Sequence, residues 1–354
     1  MTLDDPSASS AKPSGTDLPP GEVAAATLRS AMRAAHMVPL WESPTAHKQD
    51  VAREQSHIWP WRETRPIMVA TGEIRSPEVV ERRVVSLVNP RSRSAEDEAT
   101  CGAISATLQM MLPGERARPH RHSMNALRFI LEGRGAETIV DGKRCMMTPG
   151  DLIITPAWCW HEHVSNGDIP TIWFDVLDVA LHLFLGTDAF EPGPCRNVTP
   201  QWNDDAFASV GVVPAHQDYR PNHSPLFRYP WSDVTRALQA TPIAPDGARR
   251  VRYIDPLRGQ SVMPLLDCSA LSLDGAASTR PFRSSASAVC CVVEGHGSSE
   301  IGDKTISWSP KDVFTLPGGA WSSHKAIGGK ASLFIVSNRE VYGRLGLLRE
   351  EWGE

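Results

Sequence analysis

His120, Arg121 and His122, followed by His161, are the residues of this 354-residue chain whose types and spacing point most directly to chemistry. Two histidines at i and i+2 on a strand project to the same face. A third histidine beyond the turn between Gly150 and Pro156 can close a set of three nitrogens on one side of a metal ion, leaving open positions for a substrate and O2. A histidine pair by itself is weak evidence, because most such residues are surface or hydrogen-bonded core groups. Here the chain supplies its own control, since its second half repeats the first. LEGRG at 131–135 matches VEGHG at 293–297, VDGK at 140–143 matches IGDK at 301–304, and PGDLIITPAW at 149–158 matches PKDVFTLPGG at 310–319. The offset is 162 residues at Gly133 and Gly295 and 161 at Pro156 and Pro317. Carried across, His120, His122 and His161 fall on Phe282, Ser284 and Ser322. Three histidines lost together from a retained frame are expected if they serve one metal, held in the first copy and absent from the second.

Other polar residues gather around these positions. Arg128 lies an even number of residues after His122 and points inward with it. A buried guanidinium needs an anion; a substrate carboxylate would serve, and a structural pair with Glu132 or Asp175 is the alternative. His163 shares the face of His161 and could orient or deprotonate a phenol. Asp175, in TIWFDVLD, could support His163. Trp158, Trp160 and Trp173 offer aromatic walls, or simply core.

These side chains need strands to hold them. From Cys101 onward the chain reads as short apolar runs broken by turns, with Asp141-Gly142 a hairpin signal. With 29 Pro and 26 Gly, that pattern predicts sandwich or barrel domains in tandem. The expected layout is a disordered arm over 1–20 and a helical and irregular segment over 21–95, including a helix from Gly21 to about Met37. A first β-domain over 96–195, a connecting segment over 196–250 with a short helix near Trp231–Leu238, and a second, metal-free β-domain over 251–354 complete it. A net charge of −5 argues against nucleic acid or an anionic membrane as partner. The most apolar stretch, Ile172 to Leu185, is interrupted by Asp175, Asp178 and His182, too short and too charged for a membrane span. The start lacks a secretory pattern. Seven cysteines, single except for Cys290-Cys291, suggest reduced thiols and a cytoplasmic protein.

The segment from Leu112 to His163, together with PLWE at 39–42, ERRVVSLVNP at 81–90, PTIWFDVLD at 170–178 and LGLLREE at 345–351, resembles the gentisate 1,2-dioxygenase family, which includes salicylate and 1-hydroxy-2-naphthoate ring-cleaving relatives. The resemblance implies an all-β tandem double-stranded β-helix, a bicupin, with an N-terminal helical arm. It also implies Fe(II) on His120, His122 and His161, a homotetramer, and O2-dependent cleavage of a small aromatic acid between its carboxyl-bearing and hydroxyl-bearing ring carbons, without an organic cofactor. Arg128, His163 and Asp175 match substrate-pocket positions, with Arg128 and His163 in catalytic roles. Arg83, rather than Arg82, is the expected carboxylate contact from the ERRV segment. The chain also departs from the family pattern. Met124 and Asn125 stand where Gln and Ser are usual, Ser105 where an aromatic residue is common, and Thr107 where Gly is common. With Trp173 these residues would shape the pocket wall. A wall that has lost a hydrogen-bond partner predicts a 2-hydroxybenzoate substrate on which a 5-hydroxyl is not obligatory. The rival readings are a cupin that runs non-oxidative chemistry and one that binds an aromatic acid without turnover.

Overall fold

The protein is described here as a computed structural model covering residues 20–39, 54–74, 81–91, 99–193, 198–200, 202–209, 211–215 and 221–354. Residues 1–19 of the expected arm and 40–42 of PLWE lie outside the described residues. The chain forms two compact units, Met1–Val51 and Ala52–Glu354. The first contains the helix α1, Pro20–Ala34, with Glu22 in its first turn and Arg33 in its last, each favourable to the helix dipole. It stops short of Met37 because His36 adopts φ +54°, and Met37 N–H closes the helix end on the Met32 carbonyl.

The second unit contains two β-barrels. The first barrel comprises β2 (Arg83–Ser86), β3 (Ser105–Met111), β4 (Arg116–His122), β5 (Ala126–Glu132), β6 (Ala136–Val140), β7 (Lys143–Met146), β8 (Leu152–Thr155), β9 (His161–Ser165), β10 (Thr171–Leu177), β11 (Phe190–Pro192) and β12 (Arg228–Tyr229). They form two sheets, ordered β12-β8-β5-β10-β3-β2 and β11-β4-β9-β6-β7. Asp141 and Gly142 both have positive φ, 42° and 82°, which makes the tight turn between β6 and β7.

The second barrel is one nine-stranded sheet in which β16 (Ala288–Ile301) and β19 (Ser322–Ser337) run long and paired, bending at register shifts around Glu294. The repeated glycine of the two EGxG motifs has a steric reason. A Cβ on Gly133 would lie 2.3 Å from Thr171 Oγ1, and one on Gly295 would lie 2.2 Å from the Lys330 carbonyl oxygen. In each copy a neighbouring strand occupies the space a side chain would need.

The two barrels share core. Phe129 of β5 stacks on Phe334 of β19 with ring centroids 4.2 Å apart, and Tyr253 meets Phe334 edge-on. The tryptophan-rich segment also joins them. β1 (Ile58–Trp59) pairs with β18 (Val313–Leu316) of the second barrel, and Trp61 N–H bonds Asp312 at 2.7 Å. From there α2 (Trp61–Ile74) buries Met68 and brings Gly72 against Met110 of β3. Trp59 and Trp61 thus pack against the chain's own core. The helix expected near Trp231–Leu238 spans Trp231–Ala240. Among the described residues, no helix is long and apolar enough to cross a membrane.

Candidate metal centre and substrate pocket

His120 and His122 end β4 and His161 opens β9, and the register makes His120 and His161 direct cross-strand partners. Trp158 holds the turn between them. It adopts φ +63°, and its N–H donates to the His122 carbonyl at 2.8 Å. The result is a cluster of three buried rings with centroids 4.3 Å (His120–His161), 4.9 Å (His122–His161) and 5.4 Å (His120–His122) apart. One nitrogen from each lies within 4.8 Å of the others.

The tautomers of His122 and His161 suit a metal. Nδ1 of His122 lies 2.9 Å from the Met124 carbonyl oxygen and Nδ1 of His161 lies 3.0 Å from that of Cys159. A carbonyl only accepts, so each Nδ1 carries its proton and each Nε2 keeps a lone pair. Nε2 of His161 is buried without a hydrogen-bond partner, a vacancy in its bonding that a cation would satisfy. Burial is the main cause holding all three rings neutral. The pKa of His120 is depressed to about 2, with Arg82 the next cause. That of His122 falls to about 4, and that of His161 lies well below the usual value, with Arg128 contributing. Neutral imidazoles are the form that binds metal. These residues fit the ion that the sequence implies.

The facing sheet supplies the pocket. Thr107, Asp175 and Arg128 are cross-strand neighbours on β3, β10 and β5 and therefore share one face. Trp173, two residues before Asp175, shares that face and lies 5.2 Å from the His163 ring, which identifies it as the barrel interior. Arg128 is fully buried. It bonds Thr155 Oγ1, and its Nε stands 3.5 Å from Asp175 Oδ1. Asp175 Oδ2 accepts from Trp173 Nε1 at 2.9 Å. Burial raises the pKa of Asp175 to about 6, against the lowering pull of Arg128. Asp175 therefore pairs with Arg128 and Trp173, whereas the sequence reading had placed it beside His163. Glu132, the other partner considered for Arg128, is bound by Arg65.

His163 takes a different partner. Its Nδ1 lies 3.0 Å from Thr138 Oγ1, and its Nε2 is buried without a partner. Burial followed by Arg128 keeps its pKa well below the usual range.

The ERRV segment requires a correction. Arg83 is opposite Met110 in the β2–β3 ladder, and its guanidinium bonds the Met110 carbonyl and Glu115. It is Arg82 that reaches the histidines: Nη2 lies 2.5 Å from His120 Nδ1 and donates to the Arg118 carbonyl at 3.0 Å. Strand parity explains the exchange. Ser86 is opposite Thr107, an interior residue, and Arg82 has the parity of Ser86 while Arg83 has the opposite one. Nε and Nη1 of Arg82 are buried without hydrogen-bond partners, and Nε of Arg128 has no hydrogen bond beyond its 3.5 Å ion pair with Asp175. Burial, then repulsion from Arg128, lowers the Arg82 pKa to about 10, still high enough to keep its charge near neutral pH.

Of the remaining candidates, Ser105 and Thr107 are buried with unpartnered hydroxyls. Met124 is half-buried, and its backbone rather than its side chain orients His122. Asn125 is structural: it bonds both carboxylate oxygens of Asp178 and accepts from Ala157 N–H. Trp158 and Trp160 face Arg121, whose guanidinium lies 5.5 and 4.8 Å from their rings, so they stand outside the pocket. Sequence reasoning missed Phe190, whose ring lies 4.9 Å from that of His120. It is brought there by the pairing of β11 with β4, a contact with no local signal.

Comparison with known proteins gives a consistent result. The Cupin_2 (cupin domain) family profile matches residues 107–177. The chain is 35% identical to gentisate 1,2-dioxygenase 1 of Aquipseudomonas alcaligenes over 89% of this chain and 92% of that protein. It is 32% identical to the 5-aminosalicylate 1,2-dioxygenase of a Comamonas species over 92% and 89% of the two chains. Among solved structures, the salicylate 1,2-dioxygenase of Pseudaminobacter salicylatoxidans superposes with a TM-score of 0.86 at 28% identity, covering 96% of this chain and 99% of that one.

Proposed function

Because the chain belongs to the gentisate 1,2-dioxygenase family of bicupin ring-cleaving dioxygenases, we propose that it uses O2 to open the ring of a 2-hydroxybenzoate between the carboxyl-bearing and hydroxyl-bearing carbons, with Fe(II) held by His120, His122 and His161. The observation that carries this reading is the placement of two buried guanidiniums, Arg82 with unsatisfied N–H groups and Arg128 held by Asp175, beside three neutral histidines. Fe(II), when bound, supplies the one-electron chemistry through which O2 can react with a closed-shell aromatic ring.

The chain's own residues do the rest. Arg82 and Arg128 receive the substrate carboxylate, an anion that satisfies buried donors and offsets two buried positive charges. With the carboxylate held, the adjacent hydroxyl is directed toward the histidine set, which removes rotational freedom from the reacting pair. Nε2 of His163 meets that hydroxyl and helps carry its proton. Trp173 supports the ring, and the burial of the pocket walls excludes water. Asp175 holds Arg128 in place while ionised. A homotetramer in the cytoplasm accompanies the reading, and the described cysteines, Cys101, Cys145, Cys159, Cys268, Cys290 and Cys291, are all free and buried.

The test is oxygen uptake by protein reconstituted anaerobically with Fe(II), across salicylate, gentisate, amino-, nitro- and chlorosalicylates and 1-hydroxy-2-naphthoate. Stoichiometric O2 consumption with appearance of a ring-opened product is the expected result. Binding without uptake for every member of the panel would overturn the proposal.

A further inference from the structure

We propose that Arg82 is a loading switch for the metal site: its guanidinium sits on His120, withdraws before His120 can take a metal ion, and is drawn off by an aromatic carboxylate, so that acid and metal bind cooperatively. The inference rests on the reading of the pocket as an aromatic-acid site with its metal on His120, His122 and His161, and adds how the two ligands are coupled.

The three rings are not held alike. Nδ1 of His122 and Nδ1 of His161 each donate to a backbone carbonyl, of Met124 and Cys159, which leaves Nε2 with its lone pair. The acceptor for His161 is the carbonyl two residues before it. The carbonyl two residues before His120 is that of Arg118. Arg82 Nη2 donates to it at 3.0 Å and lies 2.5 Å from His120 Nδ1. A guanidinium only donates, so Nδ1 of His120 is the acceptor, and in the neutral ring the proton sits on Nε2. Glu81 Oε1, 3.6 Å from the same nitrogen, is beyond hydrogen-bond distance.

Neither nitrogen of His120 is then free for a metal. An ion on Nδ1 would stand where Arg82 Nη2 is. An ion on Nε2 requires the proton on Nδ1, which Arg82 blocks. On either route Arg82 has to leave. Once it does, the Arg118 carbonyl, within reach of the His120 ring, can accept from Nδ1–H as the Cys159 carbonyl does from His161. The proton changes nitrogen and the ring stays neutral.

Arg82 is placed to move. Its Nε and Nη1 are buried without hydrogen-bond partners, so its hydrogen bonds run through Nη2. It stands just before β2, whose ladder with β3 begins at Arg83, so its withdrawal leaves the ladder intact. A carboxylate gives the idle N–H groups a charged acceptor, stronger than an imidazole nitrogen. By linkage, an acid that draws Arg82 off His120 raises metal affinity, and the metal raises acid affinity by the same factor.

The test is the affinity of the metal-stripped full chain for Co(II), measured by competition with a chelating dye, with and without benzoate, which lacks the ortho-hydroxyl. Arg82→Met, which removes the donor and keeps the stem, should bind Co(II) about tenfold tighter than wild type, the weight of one charge-assisted hydrogen bond. Benzoate should tighten wild type by up to that factor and leave Arg82→Met unchanged. Loss of the positive charge alone would also tighten the variant, so the tautomer is read directly. In long-range 1H–15N spectra of the metal-stripped wild type, the ring signal lost in His120→Gln should be an Nε2–H imidazole, turning to Nδ1–H on addition of benzoate. An Nδ1–H ring from the start, or a benzoate effect that persists in Arg82→Met, overturns the proposal and leaves the ring-cleavage reading standing. The expected switch with no O2 uptake from any acid overturns ring cleavage alone. Failure of wild type to bind Co(II) overturns both.

Discussion

The two barrels are built on one frame and differ where chemistry is placed. In the first, His120 and His161 are cross-strand partners; in the second, Phe282 and Ser322 occupy the same register. The strand added at the barrel edge is also shared, β11 beside β4 and β20 (Glu350–Trp352) beside β15 (Phe282–Ser284). The aromatic packing changes with the ligands. Phe190 covers His120 in the first barrel, whereas Phe282 packs on Trp352 in the second, with ring centroids 4.6 Å apart. One feature is kept: His163 with Thr138 at 3.0 Å has its counterpart in His324 with Ser299 at 2.7 Å. The comparison separates residues that serve a metal, which can be exchanged without disturbing the barrel, from a histidine–hydroxyl pair that both barrels keep.

The comparison breaks most readily at the metal. His161→Ala should reduce bound iron from about one per chain to about a tenth or less, with oxygen uptake lost, because two imidazoles hold a divalent ion far more weakly than three. Ser322→Ala should leave metal content unchanged. Metal analysis showing full occupancy in His161→Ala would place the ion elsewhere and end the assignment.

The two neighbouring arginines give the next largest contrast. Arg82→Ala should raise KM for the aromatic acid by about 10- to 100-fold, the loss of one charged hydrogen bond of about 1.5–3 kcal/mol. Arg83→Ala removes a buried partner from Glu115 and should lower stability by about 3 kcal/mol with KM little changed. Steady-state kinetics alongside urea unfolding distinguish the two, and the opposite pattern would restore Arg83 to the pocket.

Acidity should expose Asp175. Its pKa near 6 means that it is ionised above that pH and holds Arg128, and protonated below, releasing the guanidinium. His120 and His122, at about 2 and about 4, remain neutral across that window and do not obscure it. The profile of kcat/KM should therefore fall as pH drops through about 6. In Asp175→Asn that limb should disappear, with activity low and flat; a limb that persists would assign the titration to another group.

The smallest effect concerns the shared pair. His163→Gln and His324→Gln should each cost about 1–2 kcal/mol of stability, one buried hydrogen bond apiece, when unfolding midpoints are compared. His163→Gln should in addition lower kcat about tenfold, because its unpartnered Nε2 is the atom proposed to meet the substrate hydroxyl. A loss of activity that merely follows the loss of stability would return His163 to the frame and remove it from the chemistry.

The amino-acid sequence alone determined the duplicated architecture, the hairpin at Asp141-Gly142 and the histidine triad, because each is encoded by local spacing. Turn residues and strand alternation act over a few positions, and a repeat exposes which residues the frame can do without. It also placed Arg128 inward by parity. Only the tertiary structure decided which of Arg82 and Arg83 reaches the histidines, since that depends on where β2 begins pairing with β3. Likewise, the partner of Asp175 was settled by strand order, which set β5 and β10 side by side and gave the carboxylate to Arg128 and Trp173. Phe190 and the seating of β1 on the second barrel arise from contacts between segments distant in sequence. Such pairings follow from burial and register across the whole sheet, so no short stretch of residues carries them.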